Sequence, residues 1–269
     1  MLDQSEIIAA LCWQGEIGVD EALDDQPADW SSFTARSGTA QRPAAQSSAL
    51  APVPTRPPAS SRPVISDAPV PGSAELRQSL AGVTDLAGLR AALSQFEDCS
   101  LKHTAMTLVF SDGNPEARLM LVGDPPGEDE DRAGLPFAGA NGRLLDRMLA
   151  ALGLDRTKVY LTSVLPWRPP GNRSPTHAEI ALCLPFIERH IALVKPQALV
   201  LFGSVAAKSL LGRSEGLPRL RGQWFDFRPP GTTQILPTMA TYHPSYLLKS
   251  PLHKREVWRD LLMIKSKLT

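Results

Sequence analysis

At 269 residues, 43% hydrophobic and 21% charged, the chain has the composition of a globular protein long enough to bury a core in one or two domains. Its three cysteines (Cys12, Cys99, Cys183) are too few and too scattered for a disulfide framework. No apolar run reaches the length of a membrane span, and the N-terminus is acidic where a signal peptide is basic, so the expectation is a cytoplasmic protein. The net charge of zero is unevenly spread: the first 75 residues hold ten acidic and four basic side chains, leaving 18 acidic and 24 basic in the rest. A basic second part suits a polyanionic partner, though a charge of this size is a weak pointer.

In chain order, Ile7, Ile8, Leu11 and Ile17 recur at helical spacing, with Ser5 placed to cap, which predicts a short amphipathic helical region over 1–30. That helix is expected either to recruit a protein partner or to dock on its own chain. Residues 31–74 are rich in Pro, Ala and Ser, and from 36 to 73 almost lack large apolar side chains; such a segment cannot bury enough surface to offset its ordering entropy and is expected to be a disordered linker.

From residue 75 to 269 the pattern becomes that of one α/β domain. Helices are predicted over 75–97, 139–152, 176–194, 204–212 and 253–268, and strands over 118–122, 158–163, 197–202 and 235–240. Short, nearly continuous apolar strands alternating with helices imply a three-layer α/β/α sandwich around a mainly parallel sheet of about four strands. In such sheets ligands sit at the carboxyl ends of the strands, and the most unusual residues of this chain fall there.

The first strand runs into Gly123-Asp124-Pro125-Pro126-Gly127, a stiff loop that starts with a carboxylate and is followed by Glu128-Asp129-Glu130-Asp131. Alone, this is an ordinary strand-to-helix turn with a solvated acidic face. It is followed by Leu135-Pro136-Phe137-Ala138-Gly139, Arg143-Leu144-Leu145, Tyr160-Leu161-Thr162-Ser163, Arg168-Pro169-Pro170-Gly171-Asn172-Arg173 and Tyr242-His243-Pro244-Ser245-Tyr246-Leu247-Leu248. This ordered set resembles the family 4 uracil-DNA glycosylases, whose usual pattern is GE(A/G)PG, PFxGxxGxLL, TN, CRPPxNR and HPSYLLR. The similarity runs from about Phe96 to the C-terminus, and five motifs in order are specific where any one is weak.

The resemblance implies an enzyme that flips uracil out of DNA, hydrolyses its N-glycosidic bond and leaves an abasic site. It assigns Asp124 and His243 to catalysis: a carboxylate near the sugar, and a donor to the departing base. Gly123, Pro125, Gly127, Phe137 and Ser163 are expected around the base, with Phe137 as the stacking surface. Arg168 and Arg173 are expected on DNA phosphates, and Ser245, Tyr246, Leu247, Leu248 and Lys249 on the loop that wedges into the minor groove, a surface continued by the basic run His253-Lys254-Arg255.

The chain departs from the family at three places. Asp124 stands where glutamate is usual and is one methylene shorter. Ser163 replaces an asparagine that reads the base edge with a paired donor and acceptor, which opens the range to hypoxanthine or another deaminated base. The four cysteines that usually ligate an iron–sulfur cluster correspond to Phe96, Cys99, Trp167 and Cys183, so the expectation is no metal and no cofactor, with the two aromatic rings filling the vacated volume. A related subgroup that is trapped covalently on uracil carries a basic insertion that the short 168–176 segment lacks. The expected partner is DNA holding uracil or another deaminated base, bound by a monomer. The alternatives are a catalytically weak or inactive module that binds uracil or damaged DNA, and a glycosylase of broader range; a nucleotide-processing protein of the same architecture is a third reading.

Overall fold

Leu119–Gly123, Val159–Ser163 and Ala198–Phe202 are five-residue runs in which every side chain is buried. Strands this apolar on both faces need cover on both sides, which is the condition for a parallel sheet between helices. A computed structural model describes residues 73–268 of the chain. The helical region and most of the linker expected before them, with Cys12, lie outside the described residues.

The elements are α1 (Ser73–Ala81), α2 (Leu86–Gln95), α3 (Leu101–Thr104), β1 (Asp112–Gly113), β2 (Leu119–Gly123), α4 (Glu128–Ala133), α5 (Gly139–Ala151), β3 (Val159–Ser163), α6 (His177–Val194), β4 (Ala198–Phe202), α7 (Ser204–Leu211), α8 (Leu217–Leu220), β5 (Trp224–Phe227), β6 (Leu236–Thr241), α9 (Pro244–Lys249) and α10 (Lys254–Leu268). The sheet order is β1-β3-β2-β4-β6-β5; β3, β2, β4 and β6 are parallel, and β1 and β5 are antiparallel edges. The four predicted strands are the parallel core. The two edges were less legible because β1 is two residues long and β5 is half-exposed, so neither shows a buried apolar run.

Moving from β2 to β3 and then back across to β4 reverses the direction of strand order. Right-handed crossovers therefore place α5 on one face and α6 and α7 on the other. The packing agrees: α6 lies against α1, α2 and α7, whereas α5 lies against α9.

The single helix predicted over 75–97 is two helices. Asp85 ends the first run by capping the second, its Oδ1 accepting the Gly88 N–H at 2.7 Å. Thr176 and Glu179 form a reciprocal capping box that starts α6 (Glu179 N–H to Thr176 Oγ1 3.2 Å, Thr176 N–H to Glu179 Oε2 2.7 Å).

Helix α10 is fixed to β6 by a buried ionic cluster. Arg221 donates to both carboxylate oxygens of Asp260 (2.6 and 3.1 Å), and Thr241 donates to the same group at 2.6 Å. Asp260 is 1% exposed, so an unmatched charge there has no water to turn to. Arg221→Met is expected to cost about 3 kcal/mol of stability, read as a lower urea midpoint; an unchanged midpoint would show that the cluster does not anchor α10.

Candidate active site

Four strand ends meet at one cleft. The register sets Gly123 of β2 beside Ser163 of β3 and Phe202 of β4. Thr241 of β6 pairs with Phe202, and His243 follows two residues later. The cleft has a volume of about 460 Å³, and its lining includes Gly123, Asp124, Pro125, Gly127, Phe137, Ser163 and His243. The residues expected at the catalytic and base-binding positions thus line a single cavity, at the point where strand order reverses.

Asp124 leaves the end of β2 and reaches across to the first turn of α7, which follows β4. Its Oδ1 accepts the N–H groups of Val205 (2.8 Å) and Ala206 (2.9 Å). The amino end of a helix favours a negative charge, and these amides lower the carboxyl pKa. Burial is the larger effect and lifts it to about 6. The approach is so close that Gly203, at φ +107°, admits no side chain: a Cβ there would lie 2.1 Å from Asp124 Oδ2.

His243 both caps a helix and faces the cleft. It is the N-cap of α9; its Nδ1 accepts the Ser245 N–H (3.2 Å) and lies 2.8 Å from the Ser245 hydroxyl, with Pro244 at the first helical position. An Nδ1 that accepts a backbone N–H carries no proton, so the hydrogen-bond network assigns the neutral ring's proton to Nε2. Burial pulls the imidazole pKa down to about 4, which keeps it a neutral donor at physiological pH.

Phe137 is held in a left-handed conformation (φ 51°) that a phenylalanine does not choose by itself. Arg156, paired with Asp112 (2.5 Å) and Asp146 (2.7 Å), donates to the Phe137 carbonyl at 2.8 Å. Gly142 completes the restraint, because a Cβ there would sit 1.9 Å from the same carbonyl. The ring packs edge-on to Phe202 (5.8 Å, 79°) and nearly parallel to His243 (5.5 Å, 19°). It is 2% exposed, so stacking a base on its whole face requires a neighbour to move.

The residues expected on DNA are arranged less uniformly. Arg173 lines the cleft and forms a two-pronged pair with Glu179 (2.6 and 2.9 Å), which holds that carboxyl down to about 2. Arg168 donates to Asn172 Oδ1 at 2.7 Å and lies 3.8 Å from Glu128 and from Asp131. Both guanidiniums therefore stiffen their own loop. Ser245 and Lys249 line the cleft, and Tyr246 and Leu248 are exposed. Leu247 is a correction: it is 0% exposed and belongs to the core, because the segment is a helix whose turn sends every third or fourth side chain inward. Within the basic run, Lys254 is buried instead of solvated.

At the positions of the family's cluster, Cys99 and Cys183 are fully buried with their sulfurs 3.8 Å apart as free thiols. The neighbouring Cys99 sulfur and burial push the Cys183 thiol up. Trp167 is 2% exposed, and Phe96 packs edge-on to Phe186 at 5.0 Å. Two thiolates and two aromatic rings are not the donor set of a four-cysteine cluster. Among the described residues there is no group of three or more His, Cys, Asp or Glu side chains placed to hold a metal ion.

Some lining residues were not anticipated. Asn141, on the first turn of α5, donates to Glu130 at 3.4 Å, and Glu130 accepts the Gly127 N–H at 3.0 Å, bracing the loop after β2 from within. The signal for Val205, also on the lining, was Gly203, which follows the apolar run of β4. Among the described residues no helix is long and apolar enough to cross a membrane.

Residues 110–262 match the profile of the uracil DNA glycosylase superfamily. A type-4 uracil-DNA glycosylase of Pyrobaculum aerophilum is 35% identical over 183 residues, covering 66% of this chain and 92% of that protein. Type-4 uracil-DNA glycosylases of Archaeoglobus fulgidus and Thermotoga maritima are each 35% identical, over 62% of this chain and 84% and 86% of theirs.

The geometry of Asp124 has a thermodynamic signature. Its carboxyl holds a proton more tightly when folded (about 6) than the ordinary value of 3.8. Its contribution to stability is therefore fully present below about pH 4 and lost as the pH rises through about 6. Asp124→Asn is expected to raise stability at neutral pH by about 1–3 kcal/mol, with the gain shrinking below pH 4, as read by denaturant titration across pH. An equal loss at both pH values would show that the carboxylate supports the fold instead of straining it.

Proposed function

The chain belongs to the uracil DNA glycosylase superfamily, and from that premise we propose that its cleft receives a uracil nucleotide flipped out of DNA, with Asp124 and His243 as the catalytic pair. It is a DNA repair glycosylase, a hydrolase of the N-glycosidic bond. The observation that carries the residue assignment is the meeting of a partly buried carboxylate, poised near pH 6, and a neutral histidine donor in one cavity at the strand ends.

The division of labour follows from the charges that develop. As the bond breaks, the sugar becomes cation-like and the base leaves as an anion. The Asp124 carboxylate stabilises the sugar and accepts a proton from the water that attacks it. The Nε2–H of His243 donates to a base oxygen and stabilises the leaving anion, and the neutral ring needs no proton from solvent to do so. Phe137 supplies the apolar surface against which the base packs. Ser163, at the end of β3, presents one hydroxyl to the base edge and so discriminates less strictly than a side chain that pairs donor and acceptor.

Excision is tested on oligonucleotides carrying uracil, hypoxanthine or xanthine, followed by alkaline cleavage of the abasic product. The expected outcome is uracil release that rises with pH through about 6 as Asp124 ionises, loss on the order of 100-fold or more in His243→Ala, and narrowing of the base range in Ser163→Asn. Tight binding with no product from the wild-type protein would favour the second reading, a damage-binding module without turnover.

We further propose that this member of the superfamily works without the iron–sulfur cluster, because an aromatic pair and a dithiol occupy its ligand positions. Protein purified under anaerobic conditions is expected to contain no stoichiometric iron and to show no visible charge-transfer absorption while remaining active. Stoichiometric iron whose removal abolishes activity would overturn this.

A further inference from the structure

Cys99 and Cys183 are 84 residues apart in the chain and meet in the core. Cys183 lies within α6, and Cys99 on the irregular stretch that joins α2 to α3. The Cys183 thiol donates a hydrogen bond to the Cys99 sulfur, 3.8 Å away, and both are free. The catalytic scheme proposed for the cleft uses neither. Cys183 also lines a hollow of about 10 Å³ whose other walls include Phe110, Thr162, Ser163 and His190, room for about one water-sized molecule. Ser163 lines both this hollow and the catalytic cleft.

Two thiols held in contact by a fold react with each other as if at very high concentration, because the encounter has already been made. Bond formation needs the sulfurs to close from 3.8 Å to about 2 Å. Cys99 lies outside both flanking helices, so no helical ladder locks its backbone against that approach. Both thiols are fully buried. Bulky oxidants are therefore kept out, and the reaction belongs to a small diffusible one.

We propose that Cys99 and Cys183 are a modification site, forming a reversible disulfide when the protein meets hydrogen peroxide. This rests on the cluster-free reading of their positions. The Cys99 sulfur attacks one peroxide oxygen; the O–O bond breaks, Cys99 becomes a sulfenic acid and the other oxygen leaves as water. The Cys183 sulfur then attacks the Cys99 sulfur, and the hydroxyl leaves with the Cys183 proton as a second water. Two thiols are oxidised by two electrons to one S–S bond, and one peroxide is reduced to two waters. A dithiol reductant reverses the step by thiol–disulfide exchange. The covalent loop so closed contains β1, β2, α4, α5 and β3, and with them Asp124, Phe137 and Ser163. A link across that much chain constrains the unfolded state, so the oxidised domain is the more stable form.

The test uses the full chain with Cys12→Ala, so that only this pair of thiols is counted. Iron is measured first; the protein is then treated with hydrogen peroxide and followed by intact mass and by peptide mapping without reductant. The expected product is a monomer lighter by about two hydrogen atoms, with a Cys99–Cys183 linked peptide that dithiothreitol separates. Its thermal midpoint is expected to rise by roughly 5 °C or more above that of the reduced protein. Adding Cys183→Ala is expected to abolish both the link and the rise on peroxide treatment. Two thiols still free after peroxide, oxygen added to either sulfur without a link, or a link that lowers the midpoint would each overturn the proposal. Stoichiometric iron in the starting protein counts against the cluster-free reading, whereas unlinked thiols in iron-free protein count against the disulfide alone.

Discussion

One contact organises the site: the carboxylate of Asp124 bound to the amides that open α7. It joins the loop after β2 to the helix after β4, across the place where strand order reverses. Two opposing effects act on the same group. Helix amides favour the charge and burial disfavours it, and the balance leaves a carboxyl near 6. A more exposed aspartate would be ionised at little cost. A more deeply buried one would be protonated at neutral pH. The glycine at 203 follows from this contact, since no other residue leaves room for the carboxylate.

The same arrangement explains what was legible in the sequence. The four parallel strands and the helices between them carry buried apolar runs, and their predicted limits differ from the observed ones by a residue or so. The motifs lie at strand ends, so strand order alone brings Gly123, Ser163 and Phe202 together. Contacts between side chain and backbone across elements were not legible. Nothing local in Asp124 announces Val205 and Ala206, 81 and 82 residues away. The capping role of Asp85 was hidden inside an amphipathic stretch, and the run from Pro244 to Lys249 read as a loop although it is a turn and a half of helix. That misreading is why Leu247 was expected on the surface: periodicity over so few residues cannot separate a wedge from a helix with one buried face.

The positions at which the family's cluster ligands fall tie separate elements together by packing. Cys99 lies between α2 and α3, Trp167 just after β3, and Cys183 within α6, so the four positions join the N-terminal helices to the body of the domain. A metal cluster would link such elements by bonds. Here the contact of Phe96 with Phe186 links the end of α2 to α6, and Trp167 is buried in the core. A buried aromatic side chain contributes a few kcal/mol of transfer free energy, enough to hold a short helix pair that already makes an Arg77–Glu188 ion pair at 2.7 Å.

Charge around the cleft sets how a polyanion can approach it. One wall, the start of α4, carries Glu128 and Asp129, both exposed, with Glu130 buried behind them. A DNA backbone is repelled from that wall. The other walls carry Arg173 on the loop before α6 and Lys249 at the end of α9. Acidic and basic side chains therefore stand on different elements around the cleft. Arg173, although held by Glu179, keeps 43% of its side chain exposed, so an arriving phosphate can share its guanidinium without breaking the pair that stiffens the loop. The cleft is thus asymmetric in charge, with exposed carboxylates at the start of α4 and cations on the loop before α6 and at the end of α9.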